Sequence, residues 1–249
     1  MAWALRRASA LHGNVSRYRL AAMKILAIET ATETCSAALY QDGAVLERSA
    51  LAPREHARLI LPMVDALLAE AALSFAALDA LAFGRGPGGF TGVRIATAVI
   101  QGLAFGAGLP VVPVSTLGAL AQGALRESGY RAVLAALDAR MDEVYWGAYR
   151  AGPEGVMAPV EEECVCRPAA VPVPSGTDWH GIGSGFDRYG DELQRHLGTA
   201  LSGWTAQRAP QAWDVAVLGA AGWRMGQAVA AEAALPVYLR DRVVGDGGR

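Results

Sequence analysis

At 249 residues the chain is long enough for one large domain or two lobes with a sizeable core. It is 53% hydrophobic and 18% charged with a formal net charge of -2, the balance of a soluble globular protein without the basic excess of a nucleic-acid binder. Its three cysteines, Cys35, Cys164 and Cys166, are too few and too odd for a disulfide framework and fit a reducing cytoplasm.

Residues 1–22 stand apart, with four arginines, no acid and no compact apolar block of the kind a secretory signal needs. They read as a transit-like segment or, more simply, as a disordered or over-long leader before a domain that begins at Met23. Lys24 to Thr30 is then an apolar strand ending in a carboxylate, Glu29, and a hydroxyl, Thr30. A turn leads to a second strand over Ser36 to Tyr40, and Gln41-Asp42-Gly43 turns into a third over Ala44 to Ser49. Pro53-Arg54-Glu55-His56 opens a helix to about Ala72, with Leu59, Ile60, Met63, Val64, Leu67 and Leu68 on one apolar face and Pro62 inside.

Leu78 to Phe83 is a strand without alternation, as in a sheet covered on both faces. Gly84 to Arg94 follows, with five glycines and Pro87, and leads into a helix N-terminus. That arrangement suits either a tight strand-to-helix turn or an anion cradle. A Walker-type phosphate loop is excluded, because the loop lacks its terminal lysine and the only lysine of the chain is Lys24. The next helix, about Thr91 to Ala107, is apolar around most of its circumference and must be covered on more than one side, by the chain itself or by a partner. No apolar stretch reaches a membrane span without a charge or a break. Residues 95–113 come nearest, interrupted by glycines and Pro110.

Leu109 to Val114 is a strand, and Ser115-Thr116 caps a helix to about Glu127. Ala132 to Leu137 is a strand ending in Asp138, followed across a turn by a strand over Glu143 to Tyr149. This repeats the opening plan and points to an internal duplication. Residues 151–211 read as loop-rich, with a turn region over Gly181 to Gly190. Trp213 to Ala233 reads as one long helix, with an extended tail from Pro236 and a frayed end from Gly245. Cys164-Val165-Cys166 offers two thiolates but no second pair at metal-ligand spacing. The expected divisions are the leader 1–22, a partner-binding first lobe 23–127, a second lobe 128–211, and a C-terminal helix and tail 212–249 packing back on the first lobe.

Six blocks in order carry a resemblance. They are Ile28 to Thr32; Pro53 to His56 with Ile60 to Val64; Gly84 to Arg94; Val114 to Leu117; Ala135 to Arg140 with Glu143 to Trp146; and Pro236 to Arg240. Together, from Met23 to about Arg242, they resemble the bacterial TsaB family, with Glu29 and Gly89 where relatives usually have Asp and Ser. The resemblance implies a two-lobed α/β fold of the ASKHA (actin-like, ribonuclease H-like) type, each lobe a mixed sheet flanked by helices. It implies a cytoplasmic, non-catalytic subunit that binds and activates a TsaD transferase, joined by the ATPase TsaE, in forming threonylcarbamoyladenosine beside the anticodon of tRNAs. On that reading tRNA is met indirectly, and the chain alone is a homodimer. No cofactor is bound tightly, and ATP and magnesium bind only in the complex. The sister family's two metal-binding histidines align with Thr116 and Leu120, neither of which holds a metal in that way.

The expected partner surface is the first-lobe helix pair, anchored by Leu59, Ile60, Met63, Leu67, Val99 and Leu103. The alternative is a nucleotide-binding or phosphotransferring enzyme that uses Glu29, Thr30, Gly86 and Asp138. Arg85, Arg94 and Arg140 are candidates for phosphate contact.

Overall fold

The structure, a computed structural model, describes residues 4–8 and 23–240, the former by backbone alone. The first sheet contains β1 (Ala4–Ala8), β2 (Lys24–Glu29), β3 (Thr34–Gln41), β4 (Ala44–Leu51), β5 (Ala80–Gly84) and β6 (Val111–Val114), in the order β1-β4-β3-β2-β5-β6. The second contains β7 (Ala132–Arg140), β8 (Glu143–Ala151), β10 (Cys164–Cys166), β11 (Trp179–Ile182) and β12 (Leu201–Thr205), in the order β10-β8-β7-β11-β12, with β9 (Met157–Pro159) also on β8.

Each sheet is built around an antiparallel hairpin, β2–β3 or β7–β8. Each then adds two parallel strands in turn, β5 on β2 and β6 on β5 in the first, β11 on β7 and β12 on β11 in the second. The duplication expected from the repeated strand–acid–turn–strand unit is thus present in the topology.

Side-chain alternation sends each sheet's residues to two cores. Leu26 and Ile28 of β2 face α1 (His56–Glu70) and α2 (Phe90–Ala107), whereas Ile25 and Ala27 face α5 (Ala212–Arg224). In the second lobe Leu134 and Ala136 face α4 (Ser184–Leu197), and Val133, Ala135 and Leu137 face α3 (Thr116–Ser128). The lobes therefore exchange helices. α3 follows the first sheet in sequence but packs on β7 and β8, and α5 follows the second sheet but packs on β2, β3 and β5. α3 and α5 also pack on each other, so the expected boundary at 127/128 divides the sequence but not the packing.

Four expectations change. First, residues 4–8 of the leader form an edge strand on β4, while residues 9–22 and the tail 241–249 lie outside the described residues. Second, the region read as loops holds β9 to β12, and the expected Gly181–Gly190 turn region contains the first half of α4. The glycines there mark close packing, since Cβ atoms at Gly185 and Gly190 would stand 2.7 Å from the Ala136 Cβ and 2.8 Å from the Trp204 ring.

Third, the expected long helix from Trp213 to Ala233 stops at Arg224. Gly226, at φ +70, donates to Trp223 O at 3.0 Å, and Gln227 donates to Gly222 O at 2.9 Å, a Schellman ending that turns the chain away. Fourth, α2 has 18 residues and a mean hydropathy of 1.3, enough by length and composition for a membrane span. Its buried side, Val93, Ala96, Thr97, Ile100 and Ala104, packs within the first lobe.

Candidate functional site

The glycine-rich loop leaves β5 at Gly84 and enters α2 at Phe90. Backbone of the chain itself fills the space its glycines leave. A Cβ at Gly92 would stand 2.1 Å from Thr30 O, and one at Gly88 2.6 Å from Ala31 O. Gly89 N donates to Ala31 O at 2.7 Å, and Thr30 Oγ1 donates to Gly92 O at 2.8 Å. The loop is therefore a close-packed seam against the end of β2. Gly86, at φ +97, accepts from Thr116 N at 3.0 Å and has Val237 O above it.

Glu29 is fully buried at this seam. Its Oε1 accepts from Ala31 N at 2.6 Å and its Oε2 from Thr116 Oγ1 at 3.2 Å, while Gly84 passes so close that a Cβ there would lie 1.9 Å from Oε2. Burial outweighs these hydrogen bonds and pushes the carboxyl up from 4.5 to about 7. Asp138, at the matching strand end of the second lobe, accepts from Arg140 N at 2.9 Å and pairs with Arg140 at 3.2 Å and Arg188 at 3.1 Å. The two strand-end acids are thus held by different partners, Glu29 by its own seam and Asp138 by arginines.

Residues 226–240 cross the first lobe as a strap. Val229 pairs with Val111, and Gln101 Nε2 donates to Ala234 O at 3.1 Å. Val237 N donates to Arg85 O at 2.8 Å, and Arg94 Nε to the Tyr238 hydroxyl at 3.0 Å, where the guanidinium also covers the Phe90 ring at 3.6 Å. The strap ends on the second lobe, where Arg240 pairs with Glu143 at the β7–β8 turn. A second interlobe cluster joins Ser115, Tyr149 and Glu163. Glu163 Oε1 accepts from both hydroxyls, while Ser115 caps α3 by accepting from Gly118 N at 3.1 Å. Burial, and then the Glu163 carboxylate, raise the Tyr149 phenol well above its ordinary range. Glu163 lies in the stretch read as loops, so only the cap at Ser115 is legible in the sequence.

The described histidines hold backbone and hydroxyl groups. His56 Nε2 bonds Thr32 O at 2.8 Å, His180 Nε2 bonds the Thr205 hydroxyl at 2.8 Å, and His196 Nε2 bonds Val171 O at 2.9 Å. Thr116, one of the two positions aligned with the sister family's histidines, is engaged with Glu29.

The helix pair places its residues differently from the expectation. Leu59, Ile60, Met63 and Leu67 point inward and form the core beneath α1, because the 3–4 spacing marks the face that meets the sheet. They are therefore unavailable as surface anchors. Val99 and Leu103 are half-buried, packed against the same core. The outward face of α2 consists of Ala98, Gly102, Phe105 and Gly106, all exposed, with Phe105 85% accessible. Beside it Phe75, Ala76, Gly102, Leu103, Gly106 and Ala107 line an open groove of about 410 Å3. The apolar circumference of α2 is thus covered on one side only.

The family model for TsaD, described as tRNA N6-adenosine threonylcarbamoyltransferase, matches residues 25–180. The tRNA threonylcarbamoyladenosine biosynthesis protein TsaB of Escherichia coli is 45% identical over 225 residues, 89% of this chain and 96% of that one. The TsaB of Haemophilus influenzae is 37% identical over 232 residues, 89% and 95% of the two chains. The solved structure of YeaZ from Pseudomonas aeruginosa superposes with a TM-score of 0.82 at 47% identity, covering 87% of this chain and all of that one. A second structure from that organism, described as an uncharacterized protein with similarity to the peptidase YeaZ, agrees equally well, with a TM-score of 0.82 at 47% identity over 88% of this chain. With near-complete relatives at this identity and the two-lobed actin-like fold on the page, the chain belongs to the TsaB family.

Proposed function

We propose that this chain serves tRNA threonylcarbamoyladenosine biosynthesis as a non-catalytic subunit that binds and activates a TsaD-like transferase through the outer face of the first-lobe helices. The observation that carries this is the uncovered apolar side of α2, with Phe105 85% exposed beside a shallow apolar groove. A soluble chain rarely leaves a contiguous apolar surface open unless something docks on it. Gly102 and Gly106 have open space above them, so a partner helix can approach α2 closely.

The groups that a phosphotransferase would use are engaged elsewhere. Glu29 is buried in its seam, Asp138 is paired with arginines, and the glycine loop is packed with backbone. This supports a supporting role over catalysis by the chain alone. On the same reading the chain by itself self-associates through this face, a TsaE-like ATPase joins the complex, and ATP with magnesium binds only there.

The test is a pull-down and a tRNA modification assay with the TsaD-like transferase. Phe105→Glu should reduce capture and modification at least about tenfold, since apolar contacts at an interface centre carry most of the affinity. Its own far-ultraviolet circular dichroism and thermal midpoint should stay unchanged, because the side chain touches solvent. Undiminished capture by the folded variant would overturn the assignment of this face.

A further inference from the structure

Cys164 and Cys166 sit two residues apart on β10, so their side chains share one face of the strand. Their sulfurs lie 3.9 Å apart, and both residues are half-buried at the margin of the second-lobe core. β10 is an edge strand, hydrogen-bonded among the described residues only to β8. Trp146, the register partner of Cys164, carries a buried indole N–H without a hydrogen-bond partner among the described residues.

The two thiols differ. The hydrogen bond between the two thiols holds Cys164 below the ordinary thiol range. The same bond, with burial, pushes Cys166 up. One sulfur is thus poised as the nucleophile and its neighbour as the resolving group. Cys35 is the contrast, since its burial, with Glu29 nearby, pushes that thiol up to about 12 and keeps it out of contact with solvent.

We propose that Cys164 and Cys166 form a reversible dithiol site that takes hydrogen peroxide or a small organic hydroperoxide as its oxidant. The Cys164 thiolate attacks one peroxide oxygen, an S–O bond forms and the O–O bond breaks. Hydroxide, or alkoxide from an organic peroxide, leaves and takes a proton as water or alcohol, and Cys164 becomes a sulfenic acid. The Cys166 sulfur then attacks the sulfenyl sulfur, an S–S bond forms and a second water departs with the Cys166 proton. Each sulfur gives up one electron and the peroxide accepts both. Strand residues two apart are roughly 6.6 Å between Cα atoms, near the upper limit for a disulfide, so the bridge is strained and opens readily with a dithiol.

The experiment treats the reduced full-length chain with a small excess of hydrogen peroxide, blocks free thiols with N-ethylmaleimide, and reads intact mass and cysteine peptides. The expected result is loss of two hydrogens per chain and loss of alkylation at Cys164 and Cys166 together. Cys35 should be blocked only after unfolding, and dithiothreitol should restore both reactive thiols. Cys166→Ser should stop the reaction at a Cys164 sulfenic acid trapped by dimedone. Three outcomes would overturn the proposal: both cysteines still alkylated, each oxidised separately to the sulfinic acid, or the bond found only between two chains on a non-reducing gel.

Discussion

Glu29 shows how one residue's role depends on groups remote in sequence. The strand-end carboxylate is visible at once in Ile28-Glu29-Thr30, but its enclosure is not, because Thr116, which donates to it, lies 87 positions away. The same gap separates a strand-end acid exposed to a nucleotide from one sealed in a seam. Sealing has a pH signature. The folded chain keeps the Glu29 proton up to about 7, whereas the unfolded chain releases it near 4.5. Below 4.5 both states are protonated and the group is neutral to stability. As pH rises from there to about 7 the unfolded state gains, and above 7 folding carries a penalty of roughly 3 kcal/mol for a shift of this size. Glu29→Gln keeps an acceptor for Ala31 N, offers its amide N–H to the Thr116 hydroxyl oxygen in place of the second acceptor, and removes the titration. Its thermal midpoint should therefore match the parent near pH 4 and exceed it near pH 8. Parallel curves across that range would mean that Glu29 is solvated in solution.

At the scale of elements, α2 illustrates both what periodicity reveals and what it hides. Its span and its apolar circumference are legible, and so is the need for a second covering surface. Which residues face outward is not, because Leu59, Ile60, Met63 and Leu67 of α1 look like anchors in sequence and turn out to meet the sheet. The glycines divide in the same way. Gly92 is pressed against Thr30 O, at 2.1 Å from its would-be Cβ, while Gly102 has nothing within 4 Å. Gly92→Ala must push backbone away from backbone and should lower stability by at least about 2 kcal/mol. Gly102→Ala, in an open helix interior, should raise it by about 0.5–1 kcal/mol, the intrinsic helix preference of alanine. Urea unfolding of the two variants measures both, and equal effects would contradict the division. The ends of α4 and α5 were hidden for opposite reasons. Glycines that allow close packing in α4 read as turn residues, and the alanine-rich run after Gly226 reads as continued helix.

At the scale of the molecule, the repeated strand–acid–turn–strand unit makes the duplication legible, but the exchange of helices is a property of packing that no local pattern encodes. α3 and α5 each leave their own lobe's sheet and meet in the middle, where Arg126 forms a two-pronged pair with Asp214, Nε to Oδ1 and Nη2 to Oδ2, both at 2.9 Å. The Asp214 side chain is only 2% exposed and Arg126 also lies over the Trp213 ring at 5.4 Å, so the pair is largely shielded from water. α5 in turn starts on first-lobe side chains, since Ser36 Oγ accepts from Ala212 N and Glu47 Oε1 from Trp213 N, both at 2.9 Å. Neither lobe can complete its core without the helix contributed by the other, which makes the two lobes one cooperative unit. Arg126→Met should lower stability by about 3 kcal/mol, because it removes the cationic partner of a buried carboxylate. The double variant Arg126→Met with Asp214→Leu should recover most of that loss, since a shielded ion pair replaced by apolar side chains of similar size is close to neutral. Unfolding of the single variant should remain one transition by both fluorescence and circular dichroism. Two separate transitions would mean that each lobe holds its sheet without the exchanged helix, and the account of the core given by the α3–α5 contact would fail.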